Sequence, residues 1–271
     1  VETETVLTDL CLPTWRGWDC VLGLSSEQQH AQMFGTLSLW EFVAAEEEEE
    51  QQQQGMRTLQ EGRTIPLKSG GIQMSEMGGD VGVVMTCHTD PLLRVWALRG
   101  DEDAPIHTLS HHSMAVEGVQ CSPHHIGHAV SCSKDTTFAL WDVQVGTEPL
   151  WAHPHEEGQP ILGAMFHHTN PHLLMVAPMD AQIQLWSVEE KSRLFSVTPP
   201  DDTFFSSMDI NPHQEHMLAV GDEFGQITLW DLRQLRKPTE LWQAHSQSVS
   251  DVKFNPHDVR LLGSSSVDSF F

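Results

Sequence analysis

The chain has 271 residues, of which 39% are hydrophobic and 19% are charged, a composition typical of a globular protein. Its 38 acidic residues exceed its 14 basic ones, and the formal net charge of −24 disfavours nucleic acid and anionic membranes but favours basic protein partners. No run reaches the roughly 18 apolar residues of a membrane span, and the acidic segment 1–12 lacks the pattern of a signal peptide.

A segment that ends in a Trp-containing strand occurs five times along the chain. In chain order the segments are GTLSLWEF (35–42), PLLRVWAL (91–98), TTFALWDV (136–143), AQIQLWSV (181–188) and GQITLWDL (225–232). Their tryptophans are Trp40, Trp96, Trp141, Trp186 and Trp230. After a first interval of 56 residues the tryptophans are spaced by 45, 45 and 44 residues. A period of ~40–45 residues with a Trp-Asp signature is typical of β-propeller blades.

The rest of each unit supports this prediction. An acidic residue precedes three of the tryptophans by six positions, and Pro-His turns follow alternating strands such as VSDVKF (249–254). We therefore predict an all-β fold in one domain, 1–271, with blades of four antiparallel strands around a channel. A sixth unit begins at LLGSSSVDSFF (261–271), where Asp268 aligns with Asp135. We expect seven blades in all, six of them visible, with the seventh supplied by further chain or by a partner.

The first interval is longer than the others because it contains a low-complexity segment. Five glutamates at 46–50 are followed by four glutamines at 51–54. We predict that 45–64 is an acidic and Gln-rich loop inserted between the first two blades. The simpler interpretation is a solvated loop, and the alternative is a loop that binds basic protein tails.

The repeats resemble the WD-repeat family. In that family a tetrad of His, Ser or Thr, Asp and Trp links a turn to a strand, and the residues that match it best are His112, Ser133, Asp135 and Trp141. The resemblance implies that this set stiffens the blade. It also implies that the other four repeat tryptophans are structural. A catalytic His-Asp pair is the alternative, which the repetition of the set disfavours.

The order of the less regular segments resembles the methylosome protein 50 family, the WD-repeat cofactors of the type II protein arginine methyltransferase. The segments are 21–42, 69–76, 129–143, 216–233 and 244–258. The resemblance implies a hetero-oligomer in which the propeller docks on the methyltransferase and presents basic substrates such as histones or Sm proteins. It also implies that an aromatic residue in a long loop of the first blade enters the partner. Phe34, beside Met33 in the sequence QQHAQMFG (28–35), occupies that place.

Other functions remain open. We find no dinucleotide fingerprint, phosphate-binding loop, zinc-protease helix or nucleophile elbow, so we expect no enzymatic activity, no metal and no cofactor. The segment 218–233 resembles the box that docks ubiquitin-ligase receptors on an adaptor, with Asp231 and Arg233 as contacts. A coat, nuclear-pore or trafficking scaffold is a third candidate.

Five widely spaced cysteines favour reduced thiols, and we expect a cytoplasmic and nuclear protein.

Overall fold

The computed structural model of the chain describes residues 5–11, 20–29, 32–44, 57–78, 82–99, 103–180, 182–197, 203–234 and 237–268. In these residues the regular structure is entirely β. Twenty-two described strands form six antiparallel sheets, five with four strands and one with two. Within every sheet the strands are neighbours in chain order, as in the blade of a propeller.

Each sheet is one blade, and the blades are numbered here in chain order. Blade 1 comprises β1 (Thr5–Cys11), β2 (Cys20–Gln29), β3 (Gln32–Ala44) and β4 (Arg57–Leu67). Blade 2 comprises β5 (Gly71–Met77), β6 (Val83–His88), β7 (Leu92–Ala97) and β8 (His107–Ser110). Blade 3 comprises β9 (Val116–Cys121), β10 (His128–Ser133), β11 (Thr137–Asp142) and β12 (Trp151–Pro154).

The second half of the chain repeats the same arrangement. Blade 4 comprises β13 (Ile161–Phe166), β14 (Leu173–Pro178), β15 (Ile183–Ser187) and β16 (Ser192–Val197). Blade 5 comprises β17 (Phe205–Ile210), β18 (Met217–Asp222), β19 (Gln226–Asp231) and β20 (Glu240–Gln243). Blade 6 comprises β21 (Val249–Phe254) and β22 (Leu262–Ser266). Each repeat tryptophan lies on the third strand of its blade, and the predicted all-β propeller with blades of four antiparallel strands is confirmed in blades 1 to 5.

The position of each strand in its blade decides how deeply it is buried. First strands of consecutive blades contact one another from β1 to β21, so they surround the central axis. Second strands such as β10 and β14 are buried at five of six positions because they lie between two strands and between two blades. Fourth strands form the rim, and all four residues of β20 are exposed.

The core is divided into layers that each lie between two consecutive blades. Between blades 2 and 3, for example, Met85 and Leu93 pack against Val119 and Trp141. The tryptophans of blades 2, 4 and 5 occupy the corresponding places in three other layers. Burying ~200 Å² of an indole side chain stabilises the fold by roughly 5 kcal/mol, so the repeated tryptophan is the main anchor between blades.

Strand pairing is uniform in blades 2 to 5 and differs in blade 1. Trp96 and Trp141 pair with Val84 and Ala129, each twelve residues earlier, and blades 4 and 5 repeat this register. In blade 1 the hairpin of β2 and β3 is longer and continues to the pair Gln29 and Gln32.

The longer hairpin corrects the predicted loop around Phe34. Met33 and Phe34 lie on β3, opposite Gln28 and Glu27. Ser25 and Thr36 lie opposite each other on the same hairpin, and their hydroxyl oxygens are 2.6 Å apart. Backbone hydrogen bonds and hydroxyl contacts hold the two strands together at this end of the hairpin. Its sequence therefore needs no alternation of apolar and polar residues. The sequence pattern therefore missed the strand.

The predicted insertion at 45–64 is also shorter than expected. Strand β4 begins at Arg57 and pairs with β3 from Ala44, so residues 57–64 are strand rather than loop. Residues 45–56, which include the Glu and Gln runs, lie outside the described residues.

Candidate functional site

A chain of four polar side chains crosses blade 3. The indole Nε1–H of Trp141 donates to the hydroxyl of Ser131 over 2.8 Å, and Ser131 Oγ lies 2.8 Å from His112 Nε2. His112 Nδ1 lies 3.1 Å from a carboxylate oxygen of Asp135. These partners favour the tautomer in which Nδ1–H donates to the carboxylate and Ser131 donates to Nε2. His112, Asp135 and Trp141 are therefore brought together as the family pattern implies.

The serine of this chain is Ser131 and not Ser133. The hydroxyl of Ser133 donates to the carbonyl of Ala115 over 2.8 Å and accepts from the backbone N–H of Asp135, so it closes a turn. Residues two apart on a strand share a face, and both serines are fully buried. The sequence pattern therefore could not separate them, whereas the pairing of Ser131 with Ala139, two residues before Trp141, places it beside the indole.

The charge state of the chain is set by its surroundings. Burial lowers the pKa of His112, although Asp135 acts in the opposite direction, so the imidazole is neutral. Burial would raise the pKa of Asp135, but hydrogen bonds from Thr137 and Ser113 and the nearby imidazole hold it below its usual value. A neutral histidine between a hydroxyl and a carboxylate thus persists at neutral pH.

Hydroxyl, imidazole and carboxylate in this order also occur in hydrolases, where the hydroxyl must meet a substrate. Ser131 is 0% exposed and its oxygen accepts from Trp141, so no acyl group can approach it. Blade 6 repeats the same set, because His245 Nε2 lies 2.9 Å from Ser264 Oγ and Nδ1 lies 3.2 Å from Asp268. The burial of Ser131 in blade 3 and the repetition of the set in blade 6 favour a structural role.

The remaining blades build a related link from different residues. The indole of Trp96 donates to Thr86, which also contacts His88, whereas the indole of Trp186 donates to Gln184, whose amide contacts His155. In blade 5 the indole of Trp230 donates to Thr228 over 3.0 Å. The side chain of Trp40 lies outside the described residues.

One cross-strand pair of positions explains this variation. The acceptor lies either ten residues before the tryptophan, on the second strand, or two residues before it, on the third, and these positions face each other. Ser131 faces Ala139, while Gln184 faces Val176. The sequence signal for these acceptors is a polar residue at one of the two positions, ten or two residues before the tryptophan, with an apolar or long side chain at the other.

Blade-to-blade hydrogen bonds join the first strands around the axis. The side chains of Gln73 and Ser75 accept from backbone N–H groups of blade 3, at Val119 and Cys121. Gln120 and Asp209 make the same link to the next blades, at Phe166 and Phe254. These bonds satisfy buried N–H groups that the sheet ladder leaves open, and they hold adjacent blades in register.

The first strands enclose a polar central cavity of about 300 Å³. Glu117, Gln120, Asp251 and Lys253 line it, and Asp209 lies 3.9 Å from the ammonium of Lys253. The side chain of Asp251 is 54% exposed to this cavity, yet the surrounding protein displaces enough water to raise the pKa of its carboxyl. The cavity is therefore acidic on balance and can accept a basic group.

Two predicted surface contacts have a defined geometry. Arg233 is 65% exposed, and its guanidinium binds the carboxylate of Asp231 through two contacts of 2.9 and 2.7 Å. This ion pair lowers the pKa of Asp231 and raises that of Arg233. Met33 is 36% exposed and Phe34 is half-buried, so a partner would meet Met33 first.

The described residues contain no group of three or more His, Cys, Asp or Glu side chains placed to hold a metal ion. Nor does that part of the chain include a helix long and apolar enough to cross a membrane. The thiols of Cys87, Cys121 and Cys132 are buried, and burial raises the pKa of Cys132. A thiol of this kind is protonated and therefore a poor nucleophile.

Comparison with known proteins supports the repeat assignment. Residues 103–142 and 236–270 match the WD40 family model, described as WD domain, G-beta repeat. The human (Homo sapiens) protein nucleoporin Nup43 is 30% identical over 146 residues, which cover 51% of this chain and 37% of that protein. The matched region thus spans well under half of the relative's length, and neither match points to the methylosome protein 50 family in particular. The two matched segments lie in blades 2–3 and 5–6, and they agree with a β-propeller built from repeated four-stranded blades.

Proposed function

We propose that the chain is a non-catalytic scaffold that holds other proteins in a stable assembly. The observation that carries this proposal is the burial of the hydroxyl–imidazole–carboxylate chain of blade 3, in which Ser131 is 0% exposed. Because these groups are used inside the fold, the turns and the cavity mouths are the surfaces left to meet other molecules. WD40 propellers generally serve as protein-interaction scaffolds, which agrees with this arrangement.

Among scaffolds, a nuclear-pore assembly is the best supported, because a nucleoporin matches half of the chain. This proposal selects one of the alternatives left open by the sequence. It places the protein at the nuclear envelope, in addition to any pool in the cytoplasm or nucleoplasm.

Purification of the tagged full-length protein from its own cells tests this proposal. We expect nucleoporins to be the dominant partners by quantitative mass spectrometry after washing in high salt, and a fluorescent fusion to mark the nuclear rim. An arginine methyltransferase or a cullin-ligase adaptor as the dominant partner, with no rim signal, would contradict it.

A methyltransferase cofactor is the second candidate, favoured by exposed Met33 beside Phe34 and by the net charge of −24. An acidic surface raises the encounter rate with Arg-rich histones or Sm proteins, and the effect fades with salt. If this candidate holds, Phe34→Ala should weaken binding to a type II arginine methyltransferase by roughly tenfold or more. Phe224→Ala, which truncates an aromatic that is 57% exposed in blade 5, is the matched control. Equal affinity of the two variants in titration calorimetry would exclude the candidate.

A further inference from the structure

An apolar groove with a volume of about 380 Å³ lies between blades 2 and 3, away from the central cavity. Its apolar lining includes Met77, Val83 and Val95 of blade 2 and Val143 of blade 3. This volume is within the range of ~300–1,000 Å³ found for ligand pockets. The groove is therefore large enough to receive side chains of another molecule.

Three aliphatic side chains from separate connecting segments line the same groove. Ile106 precedes β8, Ile126 lies between β9 and β10, and Val145 lies between β11 and β12. They are 46%, 52% and 77% exposed, respectively. Converging exposed aliphatics on connecting segments, which are ordinarily polar, mark a surface that gains stability when a partner covers it.

The repeats supply an internal comparison for these positions. The backbone N–H of Val145 donates to the carbonyl three residues earlier, and Gln234 makes the same bond in blade 5. Ile126 lies two residues before the second strand of its blade, where blade 5 has Glu215 and blade 6 has Arg260. The turn geometry therefore accepts polar side chains, and the aliphatic residues of blade 3 are not needed to form the turn.

The charge around the groove indicates what can occupy it. Asp103 lies three residues before Ile106, is 62% exposed and binds Arg63 of blade 1, while exposed Glu148 adjoins the groove residue Thr147. The whole chain carries a net charge of −24. A second copy of the chain would bring the same charge and be repelled, whereas a segment with basic flanks would be attracted.

We propose that this groove, which we call the blade 2–3 groove, docks a short aliphatic segment flanked by Lys or Arg from a partner protein. The apolar side chains of that segment would cover Ile106, Ile126 and Val145, and its basic residues would face Asp103 and Glu148. The inference rests on the proposed scaffold function and names one of its contact surfaces.

The test uses two synthetic nine-residue peptides with the same Leu/Ile/Val-rich core and either Lys-Arg or Glu-Asp flanks. Fluorescence anisotropy measures their binding to the full-length chain and to the double variant Ile126→Glu/Val145→Glu. Glu190 follows Trp186 by four residues, as Val145 follows Trp141, and Glu215 precedes β18 by two residues, as Ile126 precedes β10. Because these turns already accept Glu, the double variant should fold. Leu194→Glu, which changes an aliphatic that is 47% exposed on β16, is the matched control.

We expect the basic-flanked peptide to bind at least roughly tenfold more tightly than the acidic-flanked one, and the double variant to lose at least roughly tenfold in affinity. Leu194→Glu should bind like the unchanged chain. The proposal is overturned if the unchanged chain binds both peptides with equal affinity. It is also overturned if the double variant binds the basic-flanked peptide as tightly as Leu194→Glu does. Self-association in sedimentation that the double variant abolishes also overturns it, because the occupant would then be a second copy.

Co-purification separates this outcome from a failure of the scaffold function. If the unchanged chain retains its assembly while neither peptide binds, the groove assignment is wrong and the scaffold function stands. If the chain has no stable partner yet binds the basic-flanked peptide through the groove, the scaffold function is wrong and the groove assignment stands.

Discussion

Removal of one hydroxyl in blade 3 tests how much the polar chain stabilises the fold. Ser131→Ala leaves the indole N–H of Trp141 and the Nε2 of His112 without their 2.8 Å partner. Both groups are almost completely buried, and the space vacated by one oxygen is too small for water. Each unpaired buried group costs about 1–3 kcal/mol, so the free energy of unfolding should fall by about 3 kcal/mol.

Ser133→Ala is the matched control, since it removes the same atom from an equally buried serine on the same strand. The carbonyl of Ala115 also accepts from the N–H of Lys134, and the N–H of Asp135, which loses its bond to Ser133, is only partly buried. This variant should therefore cost only about 1 kcal/mol. Urea unfolding of the full-length chain, followed by Trp fluorescence and circular dichroism, measures both values. An effect of Ser133→Ala equal to or larger than that of Ser131→Ala would refute the assignment of Ser131 to the polar chain.

Three further predictions concern pH and backbone conformation. Burial, with Arg94 nearby, lowers the pKa of His88 from its ordinary 6.5 to about 4, so the unfolded chain takes up a proton first as pH falls. Through His88 alone, stability should therefore drop by about 2 kcal/mol between pH 7 and pH 5. Urea midpoints that are equal at the two pH values, or a drop in His88→Gln as large as that in the unchanged chain, would contradict this. Gly225→Ala should destabilise the chain by more than about 1 kcal/mol in urea unfolding, because φ is +83° and a Cβ would meet the carbonyl oxygens of His245 and Gln247. Thr136→Gly should instead raise the melting temperature by a few degrees, since β-branched Thr136 has a φ of 73°, and an unchanged or lower value would count against strain there.

The sequence alone predicted the repeat and its fold because the blade pattern is local. A Trp on the third strand, an acidic turn before it and alternating strands recur within ~45 residues, and each needs only short-range pairing. The period therefore located the third strand of blades 1 to 5. The resemblance to the WD-repeat family, rather than the period, implied that His112, Asp135 and Trp141 belong to one set.

Only the tertiary structure decided which hydroxyl joins that set and where the surface is open. Ser131 and Ser133 share a strand face, and the choice between them depends on the neighbouring strand of the same blade, which carries the indole of Trp141. The extended hairpin that carries Phe34 is held by backbone pairing, which has no signature in a polar sequence. The exposure of Ile126 and Val145 likewise depends on how two blades meet, because a turn residue becomes buried or exposed only when its neighbouring blade is in place.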